Sequence, residues 1–185
     1  RSPLGVGAAE FHTGGGSGEV DTVYLGCFLR EALNEIGGFD ERFIRAQDWE
    51  LNFRLRERGG KIYFDPRLEV TYRPRPNLAA LAKQYFEYGR WRRVVSRKHA
   101  GTINYRYLAP PFALAGTLIS LIAGVTISPM LYIPALIYVG FTLVGGIALG
   151  KGLLEKVLMP AVLFTMQMAW GAGFITSPKS LVPED

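Results

Sequence analysis

Two regimes of polarity divide the chain. Up to Arg106, apolar positions are interspersed with charge and interrupted by Gly and Pro, whereas from Tyr107 to Gly150 there is no Asp, Glu, Lys or Arg. A membrane span takes roughly 20 apolar residues at about 1.5 Å rise each. The charge-free run therefore predicts two spanning helices, over 107–126 and 131–150, with the turn supplied by Ile127, Ser128, Pro129 and Met130. After the polar link from Lys151 to Lys156, the uncharged run from Val157 to Pro178 predicts a third span over 157–177. So long a stretch without charge leaves no solvated face, which argues against a buried hairpin in a soluble helical protein.

The polar regime mixes periods. Val20 to Gly26 (VDTVYLG) is β-branched and aromatic and predicts a strand, and Phe28 to Ile36 follows with helical spacing. Gly37, Gly38, Phe39 and Asp40 break that helix. A second one is predicted from Asp48 to Arg58, with Leu51 and Leu55 on one face and Glu50 four residues before Arg54; Gly59 and Gly60 end it. Lys61 to Phe64 and Leu68 to Tyr72 predict short strands on either side of Asp65-Pro66. Asn77 caps a long amphipathic helix reaching about Lys98, with Leu78, Leu81, Tyr85 and Tyr88 on one side. It closes in RWRRVVSRKH, the composition of a helix lying in a membrane interface. The expected architecture is an α/β part over 1–76, a basic interfacial helix over 77–106, a membrane region over 107–178 and a tail over 179–185.

Charge then orients the chain. Arg90, Arg92, Arg93, Arg97, Lys98 and Arg106 precede the first span closely, which places the polar part on the cytoplasmic side, Lys151 and Lys156 in a second cytoplasmic loop, and the tail with Lys179, Glu184 and Asp185 outside. The formal charge of +5 is accounted for by anionic headgroups beside a span rather than by nucleic acid. The one cysteine, Cys27, has no partner for a disulfide and no companion at metal-ligand spacing, and is expected to be a small core residue. The Gly-rich segment from Gly14 to Gly18 lacks the lysine and following helix of a phosphate cradle and reads as a mobile loop. His12 within the neighbouring stretch is a weak candidate metal ligand. The chain starts at Arg1 without a Met or a signal sequence, so a longer native polypeptide is expected.

The segment GGFDERFIRAQDWELNFRLRERGGKIYFDP, from Gly37 to Pro66, resembles the acceptor-side signature of family 2 glycosyltransferases, in which an acidic motif opens a helix. Here the motif is Gln47-Asp48, where the commonest form of the family has Glu-Asp; the Gln, the VDTV at Val20 and the QYFEYGRW at Gln84 are similar to the membrane-bound, succinoglycan-biosynthesis type. The resemblance implies the C-terminal half of a GT-A-like nucleotide-sugar transferase domain followed by about three transmembrane helices. It implies an inverting transfer from a nucleotide-sugar to a saccharide acceptor, with Asp48 as general base. One carboxylate suffices for this chemistry, because a divalent metal, Mg or Mn, stabilises the leaving diphosphate. A helix N-terminus would hold Asp48 ionised and fixed in direction, lowering its basicity somewhat. An ordinary helix N-cap is the alternative role for Asp48.

Around this residue, Gln47, Glu50 and Asp21 are further substrate-side candidates. Glu50 suits first a pair with Arg54 on the helix surface or a contact that orients Asp48, and Asp21 suits a strand-end hydrogen bond nearly as well as a substrate contact. Gln84, Arg90 and Trp91 contain the residues of the family's Gln-x-x-Arg-Trp motif at a longer spacing, so processivity is not implied, while Arg90 meeting phosphate and Trp91 a sugar face stay open beside a purely membrane-edge role. No Asp-x-Asp occurs in the sequence, so the donor site and most metal ligands are expected outside this chain. The expected partners are a nucleotide-sugar, a lipid-linked or saccharide acceptor and the membrane. A non-catalytic membrane anchor or assembly protein is the competing class. A transporter would want charged groups inside the spans, which hold little beyond Thr, Ser and Gln167.

Overall fold

The computed structural model describes residues 16–183 apart from Tyr24, Glu69, Tyr72 and Pro74; His12 and the start of the Gly-rich segment lie outside the described residues. The chain divides into two compact units, 1–74 with 183–185, and 75–182.

In the first unit, strand β1 (Gly18–Glu19) pairs antiparallel with β2 (Tyr63–Phe64), Gly18 opposite Phe64 and Glu19 opposite Tyr63. Helices α1 (Arg30–Glu35) and α2 (Gln47–Glu57) come between them in sequence. Leu51, Leu55 and Ile62 form the buried centre, and Val20, Val23, Phe28, Ala32, Leu33 and Ile36 pack against it. The helix over 48–58 is therefore present with the expected inner face. Its end is a Schellman motif: Gly59 N–H donates to Arg56 O and Gly60 N–H to Leu55 O, both at 2.9 Å, with Gly59 at φ +81°. Only glycine adopts that angle without strain, which is why the Gly-Gly pair stops the helix.

The sheet is smaller than the sequence pattern predicts. The described residues of 20–26 and of 68–72 are irregular, and Val20 N–H makes one further ladder-like bond to Ile62 O at 2.9 Å. A strand exists only where a neighbour takes up its backbone groups, and among the described residues β1 and β2 have only each other. An α/β sheet layer is thus not displayed. Cys27 is exposed rather than in the core; Phe28 beside it supplies the inward side chain.

The second unit is helical. Helix α3 (Leu78–Lys98) is capped by Asn77, whose side chain accepts from Ala80 N–H at 2.8 Å. Three apolar helices long enough to cross a membrane follow: α4 (Tyr105–Thr126), α5 (Ile133–Leu149), preceded by a 3-10 turn over Pro129–Tyr132, and α6 (Leu153–Thr176). The predicted spans over 107–126, 131–150 and 157–177 correspond to these three.

The face that α3 buries matches the expected stripe only in part. Tyr85 is buried and Leu81 partly so, but Leu78 and Tyr88 are exposed, and Gly89, Trp91, Arg92, Val94 and Val95 are buried as well. Close approach to α6 decides this. A Cβ on Gly89 would collide with the backbone of Trp170, and one on Gly173 with the backbone of Phe86. Two glycines let the helices touch backbone to backbone, and helix-crossing of this kind excludes larger residues. Ser177 Oγ donates to Arg90 O at 3.0 Å, Arg97 Nη1 donates to Ser177 O at 2.9 Å, and the Arg93 guanidinium lies 5.0 Å from the centre of the Phe174 ring. The basic helix is therefore built into the apolar bundle on one side rather than lying alone in a headgroup layer.

Candidate functional site

The segment between α1 and α2 makes the site. Two glycines at positive φ, Gly37 and Gly38, turn the chain out of α1. Arg54, about two turns into α2, holds that turn by donating to Ile36 O at 2.6 Å and Gly38 O at 2.8 Å. Its remaining donors grip Glu50 in a two-point pair at 2.7 and 2.9 Å, and Glu50 is 2% exposed. The Glu50 end of the pair expected on the helix surface is thus buried, with Arg54 partly exposed, and the pair ties the Gly-Gly turn to the helix that follows.

Beyond the turn, Asp40 receives the Arg42 side chain on both carboxylate oxygens, at 2.8 and 2.9 Å, and Arg42 N–H at 3.1 Å. The Arg42 contacts hold its carboxyl below the usual range. Phe43 is buried at 1% exposure and pins the loop, leaving Phe39 and Ile44 turned outward. Ala46, immediately before α2, sits at φ +63°, a left-handed conformation that costs a non-glycine residue on the order of 1 kcal/mol. Its carbonyl nevertheless accepts the first helical bond, from Glu50 N–H at 2.9 Å. Such strain just ahead of Gln47-Asp48 marks a backbone held in place by its surroundings.

Gln47 and Asp48 therefore open α2 at the edge of an open depression of about 620 Å³, lined also by Phe39, Asp40, Glu41, Phe43 and Ile44. Gln47 Nε2 donates to Ile44 O at 2.8 Å. A carboxylate at position 47 would present no donor to that carbonyl. Asp48 is half-buried, and desolvation pushes its pKa up from the ordinary carboxylate value. The sequence-based expectation was a dipole-lowered value; burial beside apolar neighbours acts in the opposite direction. A half-buried carboxylate of raised basicity beside an open, partly apolar surface can accept a proton from a bound hydroxyl.

The other sequence candidates fall elsewhere. Asp21 is largely exposed and pairs with Arg56 at 3.1 Å. Gln84, Arg90 and Trp91 belong to the second unit. There Gln84 Nε2 donates to Tyr88 OH at 2.6 Å and Gln84 Oε1 accepts from Arg75 at 3.1 Å; Arg90 faces Glu87 at 3.5 Å, and Trp91 is 4% exposed. Among the described residues no group of three His, Cys, Asp or Glu side chains is placed to hold a metal ion. The site features that sequence reasoning passed over are the Arg54 clasp and the left-handed Ala46. The first was legible only as an i,i+4 pair, and alanine gives no signal for the second.

Comparison with known proteins agrees with the class of chemistry this motif implies. The chain is 30% identical over 179 residues to the succinoglycan biosynthesis protein ExoA of Rhizobium meliloti (strain 1021), covering 94% of this chain and 53% of that protein. It is 33% identical over 118 residues to the dolichyl N-acetyl-alpha-D-glucosaminyl phosphate 3-beta-D-2,3-diacetamido-2,3-dideoxy-beta-D-glucuronosyltransferase of Methanococcus voltae, covering 63% of this chain and 36% of that protein. The chain thus spans about half the length, or less, of the curated relatives it matches. No family model and no solved structure matches it. These matches support a relationship to glycosyltransferases of the family 2 type.

Proposed function

We propose that this chain is the acceptor-side and membrane part of a glycosyltransferase that moves a sugar from a nucleotide-sugar to a lipid-linked saccharide, with inversion, in synthesis of a cell-surface polysaccharide or glycolipid. The observation that carries this reading is Asp48: half-buried, of raised basicity and set at the head of α2 on the rim of the open depression. In the proposed step the Asp48 carboxylate takes the proton of the acceptor hydroxyl as that oxygen bonds to the anomeric carbon. The bond from that carbon to the diphosphate breaks on the opposite face, and the nucleoside diphosphate leaves with the electron pair. The outward-facing Phe39 and Ile44 give an apolar wall for the acceptor, and Gln47 fixes the loop under it. Glu50 and Arg54 act as positioning residues, and Asp21, Gln84 and Arg90 are proposed contacts to substrate or its phosphates. Trp91 and Glu50 are buried where they stand.

The donor half of a GT-A-like domain, and the ligands of the Mg or Mn ion that such chemistry uses, are proposed to lie outside these residues. The described residues hold no group of three His, Cys, Asp or Glu side chains that would fit a resident metal. The reading places the first unit on the cytoplasmic face of the plasma membrane. It is tested by supplying labelled nucleotide-sugars singly to membranes that carry the full-length protein and to membranes that lack it. One donor is expected to label the lipid fraction only when the protein is present. Equal labelling of both membranes by every donor would refute the proposal.

A further inference from the structure

Three apolar helices in sequence are expected to cross a bilayer three times, which would put the start of the first and the end of the third on opposite faces. The contacts within the second unit do not allow this. Helices α5 and α6 form an antiparallel hairpin: Gly146 lies directly against Pro160, and Tyr138 OH donates to Gln167 Oε1 at 3.0 Å. The closed end of this hairpin is the link from Gly150 to Gly152, and its open end holds Pro129–Tyr132 on one side and Trp170–Ser177 on the other. Both ends of α4 land on the open end. Near its start, the Tyr107 ring stacks 6.3 Å from the Trp170 ring, and a Cβ on Gly171 would come within 2.6 Å of Pro110 O. Near its finish, Ala135 N–H donates to Ser120 Oγ at 3.1 Å, and Gly124 abuts the Tyr132 ring.

In a three-crossing arrangement the levels would disagree. Pro110 would sit about 8 Å past one face and Gly171 about 27 Å past the same face, at about 1.5 Å per residue, and their contact would have to bridge roughly 20 Å. We propose that α4 does not cross the bilayer. It lies along the membrane face that carries α3, bridging the open end of the α5–α6 hairpin, and only that hairpin crosses. Its outward Phe112, Ile119, Ile122 and Val125 rest among acyl chains at that face. The Arg92 guanidinium, 4.2 Å from the Tyr107 ring, ties α4's first turn to α3. The chain end returns to the same side through Ser177, held by Arg90 and Arg97. Charge agrees: Arg90, Arg92, Arg93, Arg97, Lys98, Arg106 and Lys179 then share one face, leaving Lys151, Glu155 and Lys156 on the other.

The inference does not depend on sugar transfer, and native lysines test it without substitution. The full-length protein in sealed membrane vesicles of each orientation is treated with a membrane-impermeant amine reagent, and labelled lysines are identified by mass spectrometry. Lys83 and Lys179 are expected to react from one side, and Lys151 and Lys156 from the other. Reaction of Lys83, Lys151 and Lys156 together, with Lys179 opposite, would restore three crossings and overturn the proposal, as would all four reacting from one side. A Ser128→Cys variant, probed with an impermeant maleimide and read at position 128 by mass spectrometry, gives a second readout. Labelling from the Lys83 side supports α4 as a surface helix, and labelling from the other side refutes it.

Discussion

At the scale of the residue, Asp48 is asked to do two things that conflict. Burial that raises a carboxyl's pKa makes it a better base and also disfavours its ionised form in the folded protein. The stability it contributes is fully present below the unfolded carboxyl pKa, where the group is protonated in both states, and is lost as pH rises through the higher folded value. At neutral pH the ionised group therefore weakens the fold. Asp48→Asn, which keeps the shape and removes the charge, is expected to melt no lower than the parent protein at pH 7, as measured by thermal denaturation in detergent. A clear drop would mean that Asp48 is a stabilising cap and not a strained catalytic group. Nothing in the sequence told burial apart from dipole here, and the left-handed Ala46 just ahead of Asp48 is silent in sequence.

Among the elements, α2 was the most legible, because its Leu51 and Leu55 stripe, its Glu50–Arg54 spacing and its Gly-Gly stop all act locally. What spacing did not reveal is that Arg54 also closes the turn after α1. Arg54→Met would leave Glu50 buried without its cation, which costs about 3–5 kcal/mol in comparable buried pairs. The expected result is a lowered apparent melting temperature together with loss of transfer; unchanged melting would mean that the clasp is dispensable. The strands were the least legible, since VDTVYLG and LEVTY have strand-like composition but, among the described residues, form no strand, and VDTVYLG makes one ladder-like bond, from Val20 to Ile62. The face of α3 was legible in part: of the stripe Leu78, Leu81, Tyr85 and Tyr88, Tyr85 is buried while Leu78 and Tyr88 are exposed, because the contact is set by Gly89 meeting Trp170. Gly173→Leu is accordingly expected to separate α3 from α6 and to reduce the amount of folded protein recovered from membranes severalfold, whereas Gly140→Leu, where a side chain meets open space, is expected to leave it unchanged.

For the whole molecule, the sequence located the membrane region and its three helices by length and absence of charge, signals that do not depend on tertiary contacts. How those helices run relative to the bilayer does depend on such contacts, and glycines at 146, 171 and 173 decide it. The functional class came from one motif of the first unit, and the matched relatives, a succinoglycan biosynthesis protein and a glucuronosyltransferase, agree with it. The proposed sugar transfer needs Asp48 as its base. Its most direct test is the rate at which labelled sugar passes from the active donor to membrane lipid, compared between the full-length protein and its Asp48→Asn variant at equal protein in the membrane. Removal of a general base typically costs about 10²–10⁴-fold, and the account expects a loss in that range with donor binding retained. Undiminished transfer by the variant would contradict it.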